Sequence, residues 1–281
     1  MGNQTTINHS DVGPPTRVHG HFGEWIQGRL GPDGPVVLVT MTCDVLFVEA
    51  TFEPAVTLGL THAGQAAITR DQLRSLLSGS GRPVSGNFHV TGNVPLGVGA
   101  GASTAWLVSL ARAAGVAEND IAAACLRVEK ATDPLMLQKA DRVLWSSRSA
   151  EVSAQFSAPP RCEIVGGYFG DPIKTNAGDT CFADISDLIG AWQEATHRGD
   201  LAALAGLASE AADRTTRLRG PKGDPTAAVA KRLGALGYAR AHTGSARALI
   251  FPPEAAPFDA ENVLEQAGIT GAFRFFTGSG S

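Results

Sequence analysis

The sequence predicts a mixed α/β protein, α+β in the way its elements segregate, built as two domains. A strand, a glycine-rich loop and a helix succeed one another directly between Asn87 and Ala114, the last third alternates helices with strands, and Ala158-Pro159-Pro160 interrupts the chain near its middle. A length of 281 residues suits two domains at ~100–200 residues each. The expected layout is a flexible tail over 1–15, an N-terminal domain over 16–160 and a C-terminal domain over 161–281.

Strand, turn and strand are expected between Arg17 and Ala50, because Gly31-Pro32-Asp33-Gly34-Pro35 is a turn signal between β-rich runs. Residues 71–77 read as a short helix, the glycine-containing stretch 79–83 as a loop, and 87–91 as a strand. Beyond the glycine-rich segment, 103–114 has the composition of a buried helix, and 119–130 reads as a second helix with Asn119 as its N-cap. Residues 161–171 are expected as strand and turn, broken at Gly166-Gly167. A helical region over 184–218 is interrupted at Arg198-Gly199-Asp200, where Gly ends one helix and Asp200 caps the next. A helix at 227–236, strands at 238–242 and 248–251 around the turn Thr243-Gly244-Ser245, a helix at 260–267 and a strand at 271–277 complete the chain.

Composition narrows the function. The chain is 43% hydrophobic and 18% charged with a net charge of −4, which offers no basic field for a nucleic-acid backbone and points to a small-molecule partner. Cys43, Cys125, Cys162 and Cys181 show no metal-ligand spacing and read as buried thiols in a reducing compartment. No apolar run reaches the ~20 residues that cross a bilayer, and the polar start lacks a signal-peptide plan, so a cytoplasmic protein without a membrane partner is expected. The oligomeric state is not legible.

The chemistry concentrates in Pro95-Leu96-Gly97-Val98-Gly99-Ala100-Gly101-Ala102-Ser103-Thr104. Three alternate glycines let a backbone come close to phosphate, and the following helix adds its free N–H groups and the positive end of its dipole. Ser103 and Thr104 bring hydroxyls to that helix start, where a phosphate oxygen or a magnesium ion would be met. The same composition would also serve as a plain Gly/Ala connector. No Gly-Lys-Ser/Thr ending is present, and the glycine spacing is not that of a dinucleotide fingerprint.

The segment resembles the second motif of the GHMP kinases (galactokinase, homoserine kinase, mevalonate kinase and phosphomevalonate kinase), which reads Pro-x-x-x-Gly-Leu-Gly/Ser-Ser-Ser-Ala. Pro95, Gly99, Gly101 and Ser103 fit; Ala100 and Ala102 depart from the usual Leu and first Ser. Gly20-His21-Phe22-Gly23-Glu24-Trp25-Ile26-Gln27-Gly28 is similar to the Cys-Gly-Glu-Leu-Ile/Val-Gln-Gly opening of the L-threonine kinase branch, with Phe22 at the Cys position. Thr132-Asp133-Pro134, the 165–171 segment and Ala241-His242-Thr243-Gly244-Ser245 resemble further segments of that branch. The resemblance implies a two-domain GHMP kinase fold, an N-terminal α/β nucleotide-binding domain followed by a ferredoxin-like one. It also implies ATP and Mg2+ as cofactors and transfer of the γ-phosphoryl group to an alcohol. The acceptor implied is L-threonine, in cobalamin biosynthesis; the departures leave open another small hydroxy compound, or nucleotide binding without catalysis.

Phosphoryl transfer needs a magnesium ligand, phosphate donors and a group for the alcohol proton. Glu129 and Asp133 are the candidate carboxylates, spaced to share a face if their helix runs that far. By resemblance Ser103 and Glu129 hold magnesium, Asp133 is the catalytic base, and Pro95, Gly97, Gly99, Ala100, Gly101, Ala102, Ser103 and Thr104 hold ATP. Glu24 could take the ammonium of an amino-acid acceptor, with Asp44 a weaker candidate; His242, Thr243, Gly244 and Ser245 could meet its carboxylate or the moving phosphate. Each has a plain alternative as a surface charge or ordinary turn. His19 and His21 would share a strand face with no third metal ligand in view. Trp25, Trp106, Trp145 and Trp192 are expected in the core, while Lys139, Arg142, Arg148 and Lys174 face either ATP or solvent.

Overall fold

The turn signal at 31–35 closes the longest pairing of the molecule, between β1 (Thr16–Arg29) and β2 (Val36–Glu53), which lie antiparallel. The computed structural model describes residues 13–173 and 176–279, so most of the expected tail and Lys174 lie outside the described residues. On the far side of β2 come β4 (Gly86–Gly92) and, parallel to it, β3 (Leu58–His62). A side hairpin of β5 (Val143–Ser146) and β6 (Glu151–Gln155) pairs with the start of β2. Helices α1 (Arg70–Gly79), α2 (Ala102–Ala113) and α3 (Glu118–Glu129) complete this half. Within α2, Ala105, Leu107, Val108, Leu110 and Ala111 are all inaccessible to solvent, as befits a helix with little polar surface to present.

The second half runs β7 (Cys162–Tyr168), α4 (Ser186–Arg198), α5 (Leu201–Arg219), α6 (Thr226–Leu233), β8 (Gly237–Arg240), β9 (Ala246–Phe251), α7 (Ala260–Gln266) and β10 (Thr270–Thr277). Its strands are ordered β10-β7-β9-β8 with every neighbour antiparallel, the split β-α-β arrangement of ferredoxin-like folds. Strand β8 then meets β1 where Glu24 faces Arg240, so one sheet runs through both halves. The expected interruption between α4 and α5 is present: Gly199 adopts the left-handed conformation, and the Asp200 side chain accepts from the Ala203 N–H.

Several expectations change. The second helix begins one residue earlier than expected, at Glu118, with Ala117 rather than Asn119 at its N-cap. Gly166 and Gly167 do not break a strand but lie inside β7. A Cβ on Gly166 would stand 2.3 Å from the Phe22 ring, and one on Gly167 2.9 Å from Ile269. The missing side chains admit Phe22, fully buried, to edge contacts with Phe273 and Phe275 at 4.9 and 5.7 Å. Cys43, Cys125 and Cys162 are buried free thiols, but Cys181 is exposed on the connection before α4. All four tryptophans are buried.

A buried ion pair closes the C-terminal half. Arg247 on β9, 1% exposed, donates through Nε to Oδ2 of Asp224 at 2.6 Å, and Asp224 also accepts from the N–H of Thr226 at the start of α6. Removing one partner strands the other without water, so Arg247→Ala is expected to cost about 3–5 kcal/mol. Denaturant melts monitored by circular dichroism would measure it; a change under ~1 kcal/mol, the range of a surface pair, would show that water replaces the guanidinium.

Candidate functional site

The glycine-rich loop is fastened through its oxygens. The carbonyls of Gly97, Val98, Gly99 and Ala100 accept from the N–H groups of Ile173, Ala246, Gly23 and His21 at 2.7, 2.9, 3.2 and 3.2 Å. None of these four bonds uses a loop N–H, the group an anion needs. The loop also lies hard against the turn before β9. A Cβ on Gly99 would be 2.3 Å from that of Ala241, and one on Gly244 would be 2.5 Å from the Gly99 nitrogen, so the two segments meet backbone to backbone. Gly101, left-handed at φ 72°, then starts α2. The departures Ala100 and Ala102 are 1% and 7% exposed: small side chains packed inward.

Thr104, on the first turn of α2, donates to Oε1 of Glu129 at 2.7 Å and accepts from the backbone N–H of Asp133 at 3.3 Å. It joins the Glu129 carboxylate to the backbone of Asp133, two residues that the helix itself does not join. Helix α3 ends at Glu129, Lys130 turns left-handed at φ 65°, and Asp133 reaches the site from the following loop, held where Trp145 Nε1 donates to the Thr132 carbonyl at 2.6 Å. Burial pushes the Glu129 carboxyl up to about 7, against the hydroxyls of Thr104, Ser103 and Thr132, while Asp133 adds repulsion. Ser103, Glu129 and Asp133 therefore converge on one place.

The third contributor is β1. His21 and Glu24 are an odd number of residues apart, which in a regular strand puts them on opposite faces. A bulge intervenes, with Gly23 at φ 71° and register shifts on both sides of Glu24, and it turns both side chains to one place. Nε2 of His21 lies 3.3 Å from Oδ2 of Asp133, and Nδ1 lies 3.7 Å from Oε1 of Glu24. Oε2 of Glu24 accepts from the backbone N–H of His242 at 2.5 Å, which ties the site to the turn before β9.

The charges set one another. Burial alone would depress the His21 imidazole, but Asp133 and then Glu24 overcome it and raise it to about 9. Burial would raise Asp133, yet His21 holds it below the ordinary carboxylate range. Glu24 is pushed up to about 7 by burial, in spite of His21. Burial and then Arg219 take His242 down to about 3, so its ring is neutral. Both its nitrogens, and the hydroxyl of Ser245, are buried without a hydrogen-bond partner among the described residues. The His242 ring lies 4.4 Å from that of Phe182.

Because His21 is raised above its unfolded value of 6.5, its contribution to stability is complete below that pH and is lost as pH rises through about 9. Asp133 works in the other direction, its contribution disappearing only as pH falls through its depressed value. Thermal melts of metal-free protein between pH 6.5 and 9 should therefore show the wild type losing stability across that interval and His21→Gln losing less. Equal slopes would refute the pairing.

The structure thus brings together Ser103, Thr104, Glu129, Asp133, Glu24, His242 and, across the loop contact, Gly244 and Ser245. Asp44 lies apart on an exposed position of β2, where its carbonyl meets Nδ1 of His19 at 2.9 Å. The expectation for His19 and His21 is corrected: His19 is exposed and His21 buried, because the register shifts between them, and Glu24 and Asp133 complete a set of possible ligands around His21. Of the basic residues left open, Lys139 is exposed, while Arg148 lies over the Phe182 ring and donates to the Asp179 carbonyl. The role of His21 had one signal in the sequence, the glycine between it and Glu24.

No family model and no curated protein matches the sequence. Solved structures do match the fold. Mevalonate kinase from methicillin-resistant Staphylococcus aureus superimposes with a TM-score of 0.63 at 14% identity, over 94% of this chain and 99% of that one. Homoserine kinase from Cytophaga hutchinsonii gives 0.64 at 13% identity over 98% and 97%, and the Streptococcus pneumoniae phosphomevalonate kinase 0.63 at 11% over 94% and 99%. The fold is that of the GHMP kinases.

Proposed function

We propose that a chain with this fold and this convergence of groups is an ATP-dependent small-molecule kinase that phosphorylates an alcohol, with L-threonine as acceptor and O-phospho-L-threonine as product, in a cytoplasmic route to cobalamin. The observation that carries the reading is the meeting of Ser103 and Thr104, at the start of the helix after the glycine loop, with Glu129 and Asp133. A mere connector has no need of two part-buried carboxylates at its helix start, and a nucleotide sensor has no need of Asp133.

The groups fit their ligands. Around Glu129 the donors are all oxygens, the hydroxyls of Ser103, Thr104 and Thr132, which suits a hard ion such as Mg2+. Glu129 and Ser103 would hold it, and when bound it supplies charge neutralisation on the phosphates. The N–H groups from Gly97 to Gly101 and the first turn of α2 bind phosphate oxygens, with the loop held in place by its four carbonyl bonds. Asp133, kept ionised by His21, accepts the proton of the acceptor hydroxyl. Glu24 faces the ammonium of an amino-acid acceptor, and the unpartnered Ser245 hydroxyl, with the backbone of 242–244, faces its carboxylate. Asp44 has the least support among these residues.

Support for threonine comes from the four segments similar to the L-threonine kinase branch, not from the fold. A coupled ADP-release assay with Mg2+-ATP and L-threonine, L-serine, homoserine or mevalonate distinguishes the acceptors, with highest kcat/KM expected on L-threonine. Turnover on another alcohol alone would sink the threonine assignment and keep the kinase; ATP binding with no turnover on any hydroxy compound would sink both.

A further inference from the structure

The surroundings of His21 exceed what a proton-handling role requires. Its Nδ1 lies 3.1 Å from the carbonyl of Gly23, and because a carbonyl only accepts, Nδ1 carries a hydrogen. Nε2 is left as the coordinating nitrogen, the arrangement by which a backbone carbonyl orients a metal-binding imidazole. That nitrogen is buried, in a side chain 2% exposed, and has Asp133 as its one polar neighbour among the described residues, outside regular hydrogen-bond geometry. It stands 3.3 Å from Oδ2 of Asp133. In the ion-free protein this contact is an ion pair, and an ion that displaces the Nε2 proton would take both atoms as ligands.

One ligand atom from each of His21, Glu24 and Asp133 lies within 4.8 Å of the others. At metal–ligand bonds of ~2.0–2.2 Å, two ligands of one ion are separated by about 3–4 Å. Glu24 comes nearest on the Nδ1 side of the ring, at 3.7 Å, so a move of about 1 Å toward Nε2 would close the set.

We infer that His21, Glu24 and Asp133 form a site for a divalent transition ion of the zinc class, separate from the oxygen-only surroundings of Glu129 and Ser103. The imidazole excludes magnesium as the preferred occupant, since that ion favours oxygen ligands and retained water. Three protein ligands leave a coordination position open to a small molecule. An ion held here engages the carboxylates of Asp133 and Glu24, so it competes with acceptor ammonium and proton transfer and keeps the enzyme inactive. That consequence rests on the kinase reading; the binding of the ion does not.

The test uses Co2+ as a visible probe on the full chain, freed of metal by a chelator. Titration should give d–d absorption bands that saturate at a stoichiometric amount and are discharged by Zn2+. His21→Gln and Glu24→Gln, checked for folding by circular dichroism, should lose the bands, and Glu129→Gln should retain them. Absence of stoichiometric bands in the wild type, or their persistence in folded His21→Gln and Glu24→Gln, would overturn the site. If no acceptor supports ADP release yet the bands appear and respond as expected, the kinase reading fails and the metal site stands.

Discussion

Asp133→Asn is expected to lower kcat by about 10²–10⁴-fold, the range lost with a general base, while ATP binding changes little. The substitution is isosteric and leaves the backbone N–H of Asp133 bonded to Thr104, so the loop-to-helix junction that would hold the phosphates is preserved. What disappears is the carboxylate beside His21. The pH profile adds a second discriminant. Asp133 lies below the usual carboxylate range, so a base at that position is ionised throughout the neutral region and gives no acid limb there. Glu24 is raised to about 7, and a base there would make the rate fall as pH drops below that value. A flat kcat between pH 6 and 8 in the wild type, with the large loss in Asp133→Asn, is the expected pair of results. An acid limb near pH 7 that survives in Asp133→Asn and in Glu129→Gln but is lost in Glu24→Gln would transfer the base role to Glu24.

The parts of this site that could be read from the sequence are those set by local chemistry. Alternate glycines before an apolar helix specify a loop and a helix start wherever they occur, and Gly199-Asp200 separates two helices by the same local rule. The parts that could not be read depend on contacts distant in the chain. Period-two alternation places His21 beside His19 and away from Glu24, but a register shift between His19 and Gly20 parts the histidines and the bulge at Gly23 brings Glu24 to His21, and that bulge is fitted to the carbonyl of Gly99, seventy-odd residues on. Helical spacing suggests that Glu129 and Asp133 meet on one helix; they meet because Thr104, on another helix, bridges them. Phe22 departs from the resembling motif, and its reason lies in the room left by Gly166 on β7. The strands β3 and β6 are short and bury none of their residues fully, so they lack the hydrophobic pattern that marks a strand, and β5, buried throughout, is only four residues long.

Gly99→Ala should damage stability and nucleotide binding together, and a second glycine separates the causes. Gly99 has φ 79°, and an added Cβ would lie 2.3 Å from the Cβ of Ala241 and 2.5 Å from the carbonyl oxygen of Thr243. Neither neighbour is the end of a flexible side chain, so the loop has to move away from the 241–245 turn or the turn has to move with it. The left-handed conformation costs about 1–2 kcal/mol for a residue with a Cβ, and overpacking adds about 1–3 kcal/mol. Together they correspond to a fall in Tm of roughly 5–15 °C. Gly64 has the same φ, 79°, with nothing within 4 Å of the position its Cβ would take. Gly64→Ala therefore carries the conformational cost alone, and the difference between the two variants measures the contact between the loop and the turn. Any shift of the loop also moves the N–H groups proposed to bind phosphate, so Gly99→Ala should weaken ATP binding by calorimetry while Gly64→Ala does not. Equal destabilisation by the two substitutions, with ATP affinity unchanged in both, would mean that the loop and the turn are not held together in solution.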